Sequence, residues 1–173
     1  MMETIHGFSP VSRPDARILI LGSMPGIKSL DIQEYYAHPR NAFWKIMGAL
    51  FQFDPDAPYR QRKSALKKSG VALWDVMAAC TRRSSLDSDI IESSVVANDF
   101  RSFYSHHQHI TRIYFNGLKA ESSYRKFVGP GLSTEHAIPG LGLPSTSPAN
   151  ARMTFAEKCE TWKRLILTIE TIS

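Results

Sequence analysis

The residue types from which a binding or catalytic site can be built gather in three stretches and at one strand end. Gly22-Ser23-Met24-Pro25-Gly26 combines two glycines with a proline, which makes a tight turn and exposes backbone N–H groups to a phosphate or a base carbonyl. It is not a phosphate-binding P-loop, because no lysine followed by serine or threonine closes it, and a plain turn reads equally well. Tyr35-Tyr36-Ala37-His38-Pro39-Arg40-Asn41-Ala42-Phe43-Trp44 interleaves aromatic rings with polar side chains. Leu143-Pro144-Ser145-Thr146-Ser147-Pro148 offers three hydroxyls, suited to phosphate contacts or to a Ser/Pro turn with no ligand. Asp75 ends an apolar run, where it can accept from a ligand, cap a helix, or pair with Arg40 or Arg82. His106, His107 and His109 lack a nearby carboxylate or cysteine at catalytic spacing, so they read as a solvated turn, and no metal or cofactor is expected. Arg82-Arg83 and Lys67-Lys68 read as solvated charge, with phosphate contact the alternative.

Those stretches fall between alternating strand and helix patterns. Residues 16–21 form a short apolar run ending at Gly22, as in a strand buried on both faces. Residues 42–51 put Phe43, Ile46, Met47 and Leu50 on one helical stripe. A more charged helix over 59–68 stops at Gly70, and 71–76 is the second strand. A helix over 94–104, a strand over 112–115 and a helix over 119–127 follow. A fourth strand is expected over 134–138, and an amphipathic helix over 154–169 carries Phe155, Trp162, Leu165 and Ile166. Strands separated by helices imply right-handed crossovers. The expected fold is one domain over 1–173, a three-layer α/β/α sandwich with a short, mostly parallel four-stranded sheet. Ligands of such sheets sit beyond the carboxyl ends of the strands, where Gly22–Gly26, the end of the second strand and the Leu143–Asn150 loop converge.

Ala37-His38-Pro39-x-Asn41-x-Phe43-Trp44, following Gly22-x-x-Pro25-Gly26, resembles the mismatch-specific branch of the uracil-DNA glycosylase superfamily. Leu143-Pro144-Ser145-Thr146-Ser147-Pro148 resembles its second motif, a Pro-Ser loop that presses on the DNA backbone and enters the helix. Gly70–Asp75 resembles the strand carrying the base-reading amide. The matches span residues 16–150 in the family's order. Three positions depart from the usual pattern: Met24 stands where an acid or amide places water, Leu143 where a histidine stabilises departing uracil, and Asp75 where the base-reading asparagine sits. The pattern is most similar to the hypoxanthine-DNA glycosylases, which lack the first-motif acid and use the asparagine of Asn-x-Phe-Trp.

The resemblance therefore implies a monofunctional glycosylase in which Asn41 is catalytic. Cleaving an N-glycosidic bond passes through an oxocarbenium-like sugar, so a placed water is needed, and a carboxamide can orient one. Asn41 also precedes a helix, where its plainer role is an N-cap. Tyr36 stacks on a flipped base or packs in the core, and Asp75 accepts from the base's N1–H edge. Ser23 and Met24 complete the base site. Gly22, Pro25, Gly26, Pro144, Ser145, Thr146, Ser147 and Pro148 hold or enter the DNA backbone. Hypoxanthine can leave as a neutral base once N7 is protonated, so it suits a site lacking an anion-stabilising histidine. Uracil or thymine opposite guanine, a silent DNA-binding module and a free-nucleotide hydrolase are the rivals. No lysine is evident for a lyase step.

Composition limits the alternatives. At 43% hydrophobic, 173 residues can bury a sizeable core. A net charge of +5 favours a polyanionic partner. The run Val76–Cys80 is too short to cross a bilayer, and no basic region followed by an apolar stretch opens the chain. Cys80 and Cys159 form no CxxC pair and cannot hold a four-cysteine iron–sulfur cluster. The expectation is a cytoplasmic monomer bound to damaged or mismatched DNA, with no membrane partner.

Overall fold

The structure, a computed structural model, describes residues 3–170. Four strands, β2 (Ile18–Gly22), β3 (Val71–Asp75), β6 (Arg112–Asn116) and β7 (Gly140–Leu143), form a sheet in the order β3-β2-β6-β7, every pair parallel. Three more, β1 (Thr4–His6), β4 (Met77–Arg82) and β5 (Ile90–Ala97), form a separate antiparallel sheet in the order β1-β4-β5. The six α-helices among the described residues are α1 (Ile27–Ile32), α2 (Phe43–Phe51), α3 (Tyr59–Lys68), α4 (Phe100–His106), α5 (Leu118–Ser123) and α6 (Phe155–Glu170).

Strand period two divides the core. Ile18 and Ile20 of β2 join Phe43, Trp44, Ile46 and Met47 of α2, Leu66 of α3 and Trp162 and Ile166 of α6 on one face. Leu19 and Leu21 join Phe100, Phe103 and Tyr104 of α4 and Ala120 of α5 on the other. That is the expected three-layer α/β/α sandwich. The stripe expected on α2 is its buried face, and α6 begins with a capping box in which Thr154 and Glu157 bond reciprocally.

Local pattern misled at three places. Residues 94–97 belong to strand β5, because the β-branched Val95-Val96 side chains pair along β4, and α4 begins only after Asp99, whose carboxylate accepts from Ser102 N at 3.0 Å. Residues 134–136 form a single 3-10 turn, and the fourth strand lies at β7 instead. Gly140 permits that pairing, since a Cβ there would stand 2.6 Å from the Phe115 ring. The helix expected over 119–127 ends at Ser123 and widens into a π turn over 124–128.

Candidate active site

Parallel register brings the carboxyl ends of all four strands to one edge, with Gly22 beside Asp75 and Asn116 beside Leu143. A cavity of about 1040 Å³ opens there. The segments expected to converge do so: Gly22–Gly26, Tyr36, Asn41, Asp75 and Leu143–Asn150 all line it.

Asp75 is 3% exposed and its Oδ2 has no hydrogen-bond partner. Burial, with the Asp87 carboxylate adding repulsion, pushes its pKa up to about 7 against a weaker pull from Arg82. The salt-bridge alternative to Arg82 is not made. Instead the guanidinium of Arg82 is buried, donates to the Pro25 carbonyl and leaves Nη1 unpartnered, so Arg82 is no solvated surface charge, although Arg83 is exposed. β3 and β4 follow one another directly, and Val76 N and Met77 N bind Gly22 O and Ser23 O, so the turn after β2 and Arg82 are drawn together. Met24 is 7% exposed and packs with Met77, Cys80 and Ile90, closing the cavity floor with an apolar side chain.

Tyr36 adopts a left-handed backbone, φ 54°, a conformation costing a side-chain-bearing residue about 1–2 kcal/mol. Its ring stacks on Phe43 with centroids 4.0 Å apart, as the packing reading has it, and the residue also lines the cavity. Its hydroxyl is buried without a hydrogen-bond partner. A Cβ on Gly22 would collide with both that hydroxyl and Asp75 Oδ1, so only glycine lets the two polar groups meet over the end of β2. Asp75 and the Tyr36 hydroxyl are thus neighbours, with the Asn116 side chain the other polar group that acts on the phenol.

Asn41 is half-buried and lines the cavity. Its Oδ1 accepts from Phe43 N at 3.0 Å, an Asx turn that leads into α2, whose N-cap is Ala42 and not Asn41. A carbonyl oxygen has a second lone pair, and Nδ2 has no partner among the described residues. Ala42 N donates to Thr146 O at 3.0 Å, tying this segment to the Pro-Ser loop. Thr146 is 1% exposed and exchanges two 2.9 Å bonds with the Asn116 carboxamide, which makes it a strut between β6 and the loop rather than a surface for phosphate. Trp162 Nε1 fixes Pro144 O at 2.9 Å, and Lys158 Nζ reaches Ser147 O at 3.3 Å. Leu143 is buried in the main core, while Pro144, Ser145, Ser147 and Pro148 stay half-exposed at the rim. Pro25 is buried and Gly26 is partly exposed.

Several lining residues have no local motif. Asp87 enters the cavity from a 3-10 turn before β5 and accepts from Ser23 Oγ at 2.6 Å. Burial raises its pKa, against the Ser23 bond and Arg82. Lys28 and Lys119 supply amines to the lining, with Lys119 3.7 Å from Glu92. Among the histidines, His107 is not solvated: it stacks on Phe103 at 4.0 Å and meets Ser12 Oγ at 3.0 Å. Among the described residues no three His, Cys, Asp or Glu side chains group as a metal site.

A family model for the uracil DNA glycosylase superfamily matches residues 9–166. Two curated relatives are each 36% identical to this chain. The hypoxanthine DNA glycosylase of Methanosarcina acetivorans aligns over 148 residues, 85% of this chain and 89% of that protein. That of Methanosarcina barkeri aligns over 153 residues, 88% and 96%. A solution NMR structure of a candidate uracil DNA glycosylase from Methanosarcina acetivorans superposes with a TM-score of 0.75 at 32% identity, covering 94% of this chain and 99% of that one.

Proposed function

Because this chain belongs to the uracil DNA glycosylase superfamily, we infer that it hydrolyses the N-glycosidic bond of a deaminated base in DNA, with hypoxanthine its main substrate. The observation that carries this reading is the meeting of Asn41, Tyr36 and Asp75 in one cavity whose rim is the Pro-Ser loop. The glycosidic carbon is unreachable inside a duplex, so the nucleotide must turn out of the stack into that cavity. Tyr36, braced by Phe43, is the platform for the base. Asp75 meets its edge. Asn41 holds water on the remaining lone pair of Oδ1 and aims it at the anomeric carbon, while Ser145, Ser147 and the amines of Lys28 and Lys119 take phosphates. Cys80 and Cys159 are free thiols, as suits the cytoplasm.

Duplexes holding one deoxyinosine, one deoxyuridine or one G·T pair, incubated with wild type and Asn41→Ala, test this by chromatography of the freed base. We expect free hypoxanthine from the wild type, and a rate about 10²–10³-fold lower for the variant with DNA binding kept. Release of uracil or thymine alone would change the substrate. Silence on every duplex would leave a DNA-binding module, and turnover of free inosine a small-molecule hydrolase.

A further inference from the structure

Asp75 is the polar side chain in the cavity whose state is least like its state in water. It is 3% exposed, it lines the cavity, and one carboxyl oxygen is without a partner. The groups that face it are the Asp87 carboxylate from the 3-10 turn, Arg82 from β4, and the phenols of Tyr35, Tyr36 and Tyr59. Arg82 is the one cation among them, and its guanidinium is turned to the Pro25 carbonyl. A carboxyl group so placed holds its proton to about neutrality, with desolvation the main cause. A neutral acid with an unbonded oxygen is a donor. Its carbonyl oxygen can still accept from the N1–H of hypoxanthine, but only its O–H can serve N7, an acceptor on the imidazole ring that carries the breaking bond.

We propose that Asp75 is a catalytic general acid that protonates N7 of the departing purine. The proposal rests on the glycosylase reading above and changes Asp75 from an acceptor at the base edge to a proton donor. As C1′–N9 breaks, its electron pair passes into the imidazole ring, the Asp75 proton goes to N7, and the base leaves as neutral hypoxanthine. Water held by Asn41 adds its oxygen to C1′ and gives up one proton, which restores the Asp75 carboxyl group through solvent. Base, abasic sugar and enzyme then balance with one water consumed. The Tyr36 hydroxyl, which stands beside Asp75 and within the influence of the Asn116 side chain, is a donor for the carboxylate that exists in between. Uracil has no imidazole nitrogen to receive a proton delivered at the N7 position, so an acid placed there favours purine lesions.

Single-turnover release is measured from duplexes carrying deoxyinosine or 7-deaza-2′-deoxyinosine, which lacks N7 but keeps the N1–H edge, for wild type and Asp75→Asn between pH 5.5 and 9. For the wild type on deoxyinosine we expect a rate that holds below about pH 7 and falls roughly tenfold per unit above it. Asp75→Asn should lose about a hundredfold and the alkaline limb with it. The 7-deaza penalty should shrink in Asp75→Asn by the factor that variant loses on deoxyinosine, because both changes remove one proton transfer. A full rate and unchanged pH profile in Asp75→Asn, or two penalties that simply multiply, would overturn the acid role while leaving the glycosylase reading intact. A wild type that frees no hypoxanthine overturns both together, and is recognised before any variant is compared. Should Asp75→Asn fail to fold, the wild-type pH limb still decides, since a base-edge acceptor works as the carboxylate and would lose rate below about pH 7 instead of above it.

Discussion

Asp75 has a second consequence, for stability. A carboxyl group whose pKa is about 7 in the folded chain and near 3.8 when unfolded binds a proton more tightly in the native state. Between those values the native state holds the proton that the unfolded state has released, so stability falls as pH rises from about 4 to 7, and above 7 the full cost persists. Three units correspond to a cost on the order of 4 kcal/mol, an upper figure for a site open to a water-filled cavity. Asn has the shape of Asp and no charge to desolvate. Asp75→Asn should therefore unfold at higher urea than wild type at pH 8, by about 1–3 kcal/mol, with the gap closing toward pH 4. A variant weaker than wild type at pH 8 would mean that the ionised carboxylate makes a favourable pairing in the fold. Stabilisation of this kind, together with a loss of rate, is what a residue kept for chemistry rather than for packing produces.

At the scale of elements, the site depends on how closely β2, β3 and the Tyr36 segment approach one another. Gly22 is where they touch. Gly22→Ala places a methyl against Asp75 Oδ1 and the Tyr36 hydroxyl, and neither is the free end of a flexible chain. Overpacking costs about 1–3 kcal/mol, and here it is relieved by pushing Tyr36 off Phe43. We expect Gly22→Ala to depress base release at least tenfold while the affinity for undamaged duplex stays, since the rim is not touched; gel shift and single-turnover assays separate the two. Equal loss of both would mean that the change spreads to the Pro-Ser loop. These approaches also mark what could be read from sequence. The runs 18–22, 71–75 and 112–116 are apolar and bounded, and the stripes of α2 and α6 are periodic, so the main sheet, its covering helices and the edge bearing Tyr36, Asn41 and Asp75 were legible. β4 was not. Its inward and outward residues follow no alternation, because two register shifts bend it along β5. Asp87 was hidden for the same reason, since its partner Ser23 lies 64 residues away and only the second sheet brings them together.

For the whole molecule, the +5 charge matters through where it lies. Lys28 and Lys119 line the cavity, and the exposed Arg40 adjoins Asn41, so these three cations sit at the carboxyl edge of the parallel sheet. Lys67 and Lys68 close α3 just before Val71 begins β3, so chain direction puts them at the opposite edge. With the proposed entry of the nucleotide into the cavity, a duplex lies across the other end, so this pair is expected to make no phosphate contact. Each phosphate contact releases counterions and steepens the dependence of log affinity on log salt by about 0.9. We expect titrations of a deoxyinosine duplex against Asn41→Ala, whose turnover is slowed, to give a slope of roughly −3 from those three cations. Lys28→Gln in that background should flatten it by about 1, whereas Lys67→Gln with Lys68→Gln should leave it unchanged although it removes two charges. An equal effect of both replacements would mean that the net charge alone draws DNA to the protein. A selective effect of Lys28 means that the strand ends, the base cavity and the phosphate contacts share one edge of the sheet.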